Sequence, residues 1–171
     1  MVGSRTRIAR EQAERLEATG VERMLVPVAA LLDGEEARAQ EARVLEEWLA
    51  AGKDVLVTPE SHAALHDEQG AAVARAMARL VVGCADTAGG LVATGGETAR
   101  AVLDGWGVER LRVLGEVEPG VAFSMTDRWR RALPVVTKAG GFGNKETLMR
   151  CREFLKGLQR GAGTSQAEVQ R

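Results

Sequence analysis

The chain has 171 residues, of which 45% are hydrophobic and 27% charged, a balance typical of one globular domain with a sizeable core. A net charge of −1 argues against a nucleic-acid-binding protein, which needs a basic surface to meet phosphates. No apolar run follows the charges of Met1–Arg10, and none approaches the roughly 18 residues of a membrane span. Composition therefore predicts a cytoplasmic protein with neither a nucleic-acid nor a membrane partner.

In the first half of the chain, apolar spacing separates helices from strands. Helical spacing predicts helices over about residues 5–18, 35–50 and 67–84. Short apolar runs predict buried strands over 24–28 and 54–58, the second stopped by Pro59. Gly52 is expected to end the second helix as a left-handed cap residue.

The second half continues the alternation. Strands are expected over 90–94, 111–114, 121–125 and 134–138, with helices over 97–106 and 145–158. Such alternation is typical of βαβ units with a mostly parallel sheet. We therefore predict one three-layer α/β domain of Rossmann-like type over residues 1–160. Residues 161–171 are small and polar and are expected to form a flexible tail.

Three predicted strand ends are rich in glycine and small hydroxyl residues. They are Val2-Gly3-Ser4, the segment from Thr94 to Thr98, and the segment from Thr137 to Asn144. Each places unpaired backbone N–H groups at a helix start, where phosphate is favoured. Neither a P-loop nor a G-x-G-x-x-G motif is present, so tight connections without a ligand remain an alternative.

Other chemistry-bearing residues point to structural roles. Cys84 and Cys151 fall at apolar helical positions and are expected to be reduced core cysteines. His62 and His66 lie four apart, but without a third ligand motif we expect surface histidines and no metal site. Trp48 and Trp106 are expected in the core. Trp129, among arginines, is the tryptophan we consider for a ligand or partner surface.

Three linked motifs carry a resemblance to a known family. They are Thr94-Gly95-Gly96-Glu97-Thr98-Ala99, Leu114-Gly115-Glu116-Val117-Glu118-Pro119-Gly120-Val121, and the run from Pro134 to Gly143, read as PVVTKAGGFG. In order and spacing they resemble the carboxy-terminal, nucleotide-binding domain of the four-carbon acid sugar kinases. That family comprises ATP-dependent kinases of threonate, erythronate and 3-oxo-tetronate. The resemblance covers residues 2 to about 158.

The resemblance implies ATP and Mg²⁺ as cofactors and a set of nucleotide contacts. The implied contacts are Ser4, Thr94, Gly95, Gly96, Glu97, Thr98, Lys138, Gly140, Gly141, Phe142 and Gly143. Glu97 would face the ribose hydroxyls or a water on Mg²⁺, or alternatively cap its helix. Lys138 would neutralise a phosphate, or alternatively be solvated. The resemblance identifies no catalytic residue in this chain.

The sequence departs from the family in one large respect. The full enzymes carry an amino-terminal sugar-acid domain with an Asp-Asp-x-Thr-Gly motif, and no Asp-Asp pair occurs here. We therefore expect the isolated chain to be inactive and to meet a sugar acid only if that domain is supplied. The alternative is a stand-alone nucleotide- or anion-binding or regulatory module without catalysis. A third hypothesis is an interaction domain that forms a homo-oligomer through the sheet edge near Met1.

Overall fold

The computed structural model describes residues 1–4, 6–33, 35–60 and 67–168. Its helices are α1 (Arg7–Glu17), α2 (Val28–Asp33), α3 (Glu35–Ala50), α4 (Asp67–Leu80), α5 (Gly96–Gly105) and α6 (Thr147–Glu168), with a short 3₁₀ helix over Val82–Ala85. Its strands are β1 (Glu22–Val26), β2 (Val55–Pro59), β3 (Leu91–Thr94), β4 (Leu111–Glu118), β5 (Val121–Thr126) and β6 (Pro134–Lys138). None of the described helices is both long and apolar enough to cross a bilayer.

The strands form two groups that the amino-terminal segment Met1–Gly3 joins. β1 pairs with β2 in parallel, and the second group has the order β3-β6-β5-β4. The Val2 amide donates to the Val57 carbonyl of β2 at 2.9 Å. On the other side, the Thr94 amide donates to the Met1 carbonyl at 3.0 Å and the Gly3 amide to the Thr94 carbonyl at 3.2 Å. One continuous sheet results, with Val2 near its middle.

Helices cover both faces of this sheet, which confirms the predicted three-layer α/β fold. On one face, α1 and α6 share a core that includes Ala9, Ala13, Leu16 and Leu148. On the other face, the main core joins α3, α4 and α5 around Met77, which is fully buried. Since α1 follows the amino-terminal segment and α5 follows β3, two adjacent strands send their helices to opposite faces. That is the topological switch point where open α/β sheets bind ligands.

The sheet is mostly parallel, with an antiparallel edge. β3 and β6 are parallel, whereas β5 runs antiparallel to both β6 and β4. Only Pro119 and Gly120 separate β4 from β5, a connection too short for a parallel crossover. Gly120 has φ of 78°, a conformation that side chains other than glycine resist.

Several boundaries differ from those expected. β1 ends at Val26, because Pro27 lacks the N–H that would continue the ladder, and the unexpected α2 begins at Val28. β4 continues to Glu118, beyond the predicted end at residue 114. α6 continues through Glu168, past its predicted end at residue 158. The division into a domain over 1–160 and a flexible tail over 161–171 stays a prediction.

Both cysteines are buried and unbridged, which confirms the expected core positions. Burial raises the pKa of each thiol to about 11. The thiolate is the reactive form, so burial disfavours nucleophilic reactivity at both Cys84 and Cys151.

Candidate functional site

The three glycine-rich strand ends lie side by side at the switch point. The Gly95 amide donates to the Lys138 carbonyl at 2.9 Å, which joins the ends of β3 and β6. The Thr6 hydroxyl donates to the Gly140 carbonyl at 2.8 Å and lies 3.2 Å from the Ser4 hydroxyl. This hydroxyl pair joins the start of α1 to the loop after β6. Residues far apart in sequence thus form one surface at the carboxyl edge of the sheet.

The start of α5 presents free amides. Its N-cap residue, Gly95, has φ of 98° and no side chain to cap the helix. The first backbone hydrogen bond of this helix runs from the Ala99 amide to the Gly95 carbonyl at 3.0 Å. The amides of Gly96, Glu97 and Thr98 therefore have no acceptor within the helix. Glu97 is exposed and makes no hydrogen bond or ion pair with the described residues. The surface at this helix start is therefore open to an anion.

The glycine loop, residues 139–146, approaches the amino-terminal segment closely. A Cβ on Gly140 would lie 2.0 Å from the Ser4 hydroxyl oxygen, so this position has no room for a side chain. Gly143 has φ of 78°, and its Cβ would lie 2.2 Å from the Thr147 hydroxyl oxygen. The amides of Gly140, Gly141 and Gly143 donate to no described residue. The loop thus presents a second set of unpaired donors.

A buried glutamine fixes the glycine loop to α1. Gln12 is fully buried, and its Nε2 donates to the carbonyls of Phe142 at 3.1 Å and Asn144 at 2.8 Å. Its Oε1 has no partner among the described residues. Gln12 lies among Ala9, Ala13 and Leu16 on the buried face of α1, and the sequence pattern indicates no role for it. The available signal was an amide side chain among alanines and leucines on that face.

An ionic network at the start of α6 holds the glycine loop in place. Glu118, at the end of β4, accepts hydrogen bonds from the Thr147 hydroxyl and the Arg150 guanidinium, both at 2.5 Å. The Arg150 bond holds the pKa of Glu118 below its usual value; burial opposes this and Thr147 assists it. Thr147 also accepts from the Asn144 amide at 2.9 Å. The start of α6 and the loop before it are therefore tied to the β4–β5 hairpin.

Two buried polar side chains lie at the strand ends with incomplete hydrogen bonding. Lys138 is 3% exposed, and its ammonium donates to the Ala139 carbonyl at 3.0 Å, one of three bonds it can make. Burial lowers the pKa of Lys138, which the negative charge of Glu118 partly opposes. The Thr94 hydroxyl is fully buried and has no partner among the described residues. Such groups are costly unless a ligand or water completes their bonding.

Two glycines of the site face open space. A Cβ on Gly96 or on Gly141 would meet no atom within 4 Å, and neither residue has a positive φ. Next to Gly141, Phe142 is 54% exposed. Its ring packs against Gly120 of the β4–β5 turn, where a Cβ would lie 2.5 Å from the ring. The site therefore combines unpaired amides, free volume and an exposed aromatic ring.

The structure thus brings together all the residues predicted to contact nucleotide, through direct contacts or as neighbours at one edge.

The remaining candidates lie elsewhere. Trp129 stacks on Trp106 at 6.3 Å and donates its indole N–H to the Trp106 carbonyl at 2.9 Å, so it extends the core. His62 and His66 lie outside the described residues. No group of three or more potential metal-ligating side chains occurs in the described ranges.

Two cavities flank the amino-terminal segment. One, of about 180 Å³, adjoins Ser4 and lies between α1 and the ends of β1 and β2, with Arg10 and Arg23 in its wall. The other, of about 190 Å³, is mostly apolar and lies at the opposite end of the sheet, near Met1 and Leu91. Only the first is next to the glycine-rich strand ends. The lining of the second includes neither Ser4 nor any residue of the glycine loop.

A family model described as the nucleotide-binding C-terminal domain matches residues 1–148. The chain is 38% identical over 157 residues to a D-threonate kinase of Cupriavidus necator, and 35% identical over 162 residues to a D-threonate kinase of Bordetella bronchiseptica. These alignments cover 86% and 91% of the chain. The chain spans 37% and 40% of the two relatives' lengths.

Solved structures show the same fold. A crystal structure from Bordetella bronchiseptica, described as a domain of unknown function with bound citrate and a domain-swapped dimer, superimposes with a TM-score of 0.77 at 32% identity. It covers 90% of this chain, which spans 39% of that one. A Haemophilus influenzae protein superimposes with a TM-score of 0.72 at 16% identity over 90% of the chain, a likeness of fold alone.

Proposed function

The chain belongs to the family of nucleotide-binding C-terminal domains, and on that premise we propose that it is the ATP-binding domain of a four-carbon acid sugar kinase. In this proposal, residues 1–160 form the nucleotide-binding unit. Its partner in catalysis would be the amino-terminal sugar-acid domain that the family resemblance implies, and the chain itself spans 37% and 40% of the two D-threonate kinases. The cytoplasmic location expected from composition is part of the same proposal.

One observation carries the proposal: two sets of unpaired amides lie at the switch point of the sheet, on strand ends that hydrogen bonds join to one another. One set begins α5 at Gly96, and the other lies in the glycine loop at Gly140 and Gly141. Two sets of amides suit a polyphosphate better than a single anion, because a triphosphate offers oxygens along its length. The open sides of Gly96 and Gly141 supply the volume that such a ligand needs.

The charged and aromatic side chains of the site have matching roles. Lys138, with unused donors and little exposure, would neutralise a phosphate oxygen that approaches the glycine loop. The Thr94 hydroxyl would complete its bonding toward the same ligand or an ordered water. Phe142 would offer a face for the base. These residues bind and orient the nucleotide, while the acceptor hydroxyl and its base belong to the sugar-acid domain.

The residues also fit a magnesium ion that arrives with the nucleotide. Mg²⁺ retains several waters and binds through few carboxylates plus substrate phosphates, so no preformed cluster is required. Glu97 is an exposed carboxylate at the same helix start and has no partner among the described residues. When bound, the ion would neutralise charge on the phosphates, and Glu97 would hold it through water. Alternatively, Glu97 would accept bonds from the ribose hydroxyls.

Calorimetric titration of the chain with ATP and Mg²⁺ tests the proposal. We expect saturable binding and a thermal shift with ATP. Equal affinity for ATP, tripolyphosphate and citrate would favour the alternative of an anion-binding or regulatory module. If millimolar ATP gave neither heat nor a thermal shift, both the kinase-domain proposal and the nucleotide-binding alternative would be contradicted.

A further inference from the structure

The polar groups at the carboxyl edge follow one line across the sheet. Phe142 packs on Gly120 in the β4–β5 turn, at one end of the strand order. Next come the glycine loop after β6, the start of α5 after β3, and Ser4 after the amino-terminal segment. Beyond Ser4, at the ends of β2 and β1, lies the cavity of about 180 Å³. In the proposed function, nucleotide accounts for this line only as far as Ser4.

Ser4 is the residue that links the glycine loop to this cavity. Its hydroxyl oxygen lies so close to Gly140 that a Cβ there would be 2.0 Å away, and Ser4 also lines the cavity. In phosphoryl transfer, the attacking and leaving oxygens lie roughly in line through the γ-phosphorus. With the base at Phe142, the acceptor of the phosphoryl group belongs at the other end of the triphosphate. That end is the cavity side of Ser4.

The wall of the cavity carries more positive than negative charge. Arg10 and Arg23 line it, with Glu60 as the carboxylate of the same lining. The Arg23 guanidinium is fixed in place, because Nε donates to the Thr58 hydroxyl at 3.2 Å and Nη1 to Glu17 at 2.8 Å. A guanidinium has five N–H donors, so Arg23 retains donors for a ligand. The cavity therefore suits an anion.

Arg10 supplies a second set of donors from α1. It is exposed, and its guanidinium makes no hydrogen bond or ion pair with the described residues. Ser4 and the buried Thr58 add two hydroxyls to the same lining. The volume is smaller than the roughly 300–1,000 Å³ of sites for drug-sized ligands, so a ligand of few heavy atoms fits. A small acid that also carries hydroxyl groups matches this combination.

We propose that the cavity receives the carboxylate of a four-carbon sugar acid, with Arg10 and Arg23 as its donors; this inference rests on the proposed function. The paired N–H groups of a guanidinium match the two oxygens of a carboxylate. The hydroxyls of Ser4 and Thr58 would bond hydroxyls of the acid. A hydroxyl further along the acid would then face the phosphate held near Ser4. The sugar-acid domain would supply the base and the remaining contacts.

Titration of the isotope-labelled full chain with sodium threonate tests the inference by nuclear magnetic resonance. The amide signals of Ser4, Arg10 and Thr58 should shift saturably, with a dissociation constant on the order of 1–10 mM. Threitol, which has four carbons and hydroxyls but no carboxylate, should bind at least ten-fold more weakly. Arg10→Gln should weaken threonate at least ten-fold. Arg10→Lys keeps the charge but not the paired donors, so its affinity should be intermediate.

Arg7→Gln is the matched control. Arg7 lies one turn earlier on α1, is bonded to Glu11 and does not line the cavity, so threonate affinity should not change. Thermal unfolding of Arg10→Gln should match that of the parent chain, because the Arg10 side chain has no partner among the described residues. Equal affinity for threonate and threitol would overturn the inference. So would an Arg10→Gln that binds threonate as well as the parent, or no saturable shift at about 50 mM.

Two further measurements separate this inference from the proposed function. ATP affinity should be the same in Arg10→Gln and the parent chain; a loss would place Arg10 on the phosphates and overturn the acid site. Sulfate should bind more weakly than threonate, and equal binding would show an unspecific anion site. Threonate is titrated both with and without a non-hydrolysable ATP analogue and Mg²⁺. A chain that binds threonate but not ATP would contradict the proposed function alone, and the reverse would contradict the acid site alone.

Discussion

The side-chain amide of Gln12 in α1 lies 2.8 Å from the carbonyl oxygen of Asn144, across a sequence distance of 132 residues. With its second bond to Phe142, it holds the glycine loop at two positions within its exposed part. Gln12 shares the support of the loop with the Thr6 hydroxyl, which bonds to Gly140, and with Thr147, which accepts from the Asn144 amide. Gln12 is thus a positioning residue for the glycine loop.

Replacing Gln12 should loosen the loop. Gln12→Leu removes the two hydrogen bonds to the carbonyls of Phe142 and Asn144. The change should lower the free energy of unfolding by about 2 kcal/mol. ATP affinity should fall as well, because the loop amides lose their fixed positions. Urea unfolding and ATP titration on the same sample measure both effects. Full ATP affinity in a destabilised Gln12→Leu would show that the loop keeps its shape without the clamp.

The two open glycines are the sharpest test of the nucleotide site. In Gly96→Ala and Gly141→Ala the added methyl meets no protein atom and no strained φ, so the melting temperature should change little. If phosphate approaches these backbones, each methyl should weaken ATP about ten- to a hundred-fold, the value of one hydrogen bond to a charged oxygen.

Gly157→Ala is the matched control for these two variants. It also adds a methyl into open space, but on α6, where alanine should raise stability by about 0.5–1 kcal/mol. ATP affinity should not respond to it. If Gly96→Ala and Gly141→Ala bind ATP as the parent chain does, the amides do not contact phosphate and the proposed site is wrong.

Phe142 should distinguish the base from the phosphates. Because its ring is half exposed and touches mainly Gly120, Phe142→Ala should cost little stability. Loss of a stacked base should weaken ATP by about 1–3 kcal/mol, the usual value for base–aromatic stacking. Tripolyphosphate affinity should stay unchanged. Equal losses for both ligands would mean that Phe142 shapes the loop instead of contacting the base.

Glu118 predicts an acid limit of stability. Its pKa in the folded chain lies below the unfolded value of about 4.5, so the folded state favours the charged carboxylate. The stabilisation is fully present above that value and is lost as pH falls through the folded-state pKa. Glu118→Gln should lower stability by roughly 1 kcal/mol at pH 7. The difference should shrink between pH 5 and 3 in urea titrations. If the stability difference between Glu118→Gln and the parent chain did not change with pH, it would come from packing and not from the carboxylate charge.

The isolated chain should not phosphorylate sugar acids. It offers amides and cations for a triphosphate but lacks the Asp-Asp-x-Thr-Gly segment that marks the acceptor domain in the family it resembles. Coupled assays with threonate and erythronate should therefore show only the ATPase background. Turnover well above that background would mean that the acceptor site lies within these 171 residues.

The sequence was sufficient to predict the fold class and the grouping of the strand ends. Strands and helices alternate with clear apolar spacing, and parallel strands bring their carboxyl ends to one edge, so Ser4, Gly96 and Gly141 had to be neighbours. Apolar spacing does not report strand direction, so it did not predict the antiparallel edge, although Pro119-Gly120 is a turn signal. The continuation of β4 to Glu118 was not predicted either, because charged residues interrupt its apolar run.

The supporting residues of the site could not be predicted from local patterns. Gln12 and Glu118 act through contacts with residues 142–150, which only tertiary packing brings near. Burial of Lys138 likewise depends on α6 lying over β6. Periodicity reports which face of an element is apolar, whereas these roles depend on which elements meet.

The position of Val2 between β2 and β3 has a consequence for the order of folding. Residues 1–3 pair with Val57 and Thr94, so the centre of the sheet closes only after β3 has been synthesised. Until then, α1 and β1 have an incomplete sheet to pack against. Such non-local pairing raises the contact order and slows folding. During synthesis, the exposed edges of β2 and β3 are where we expect chaperones to act.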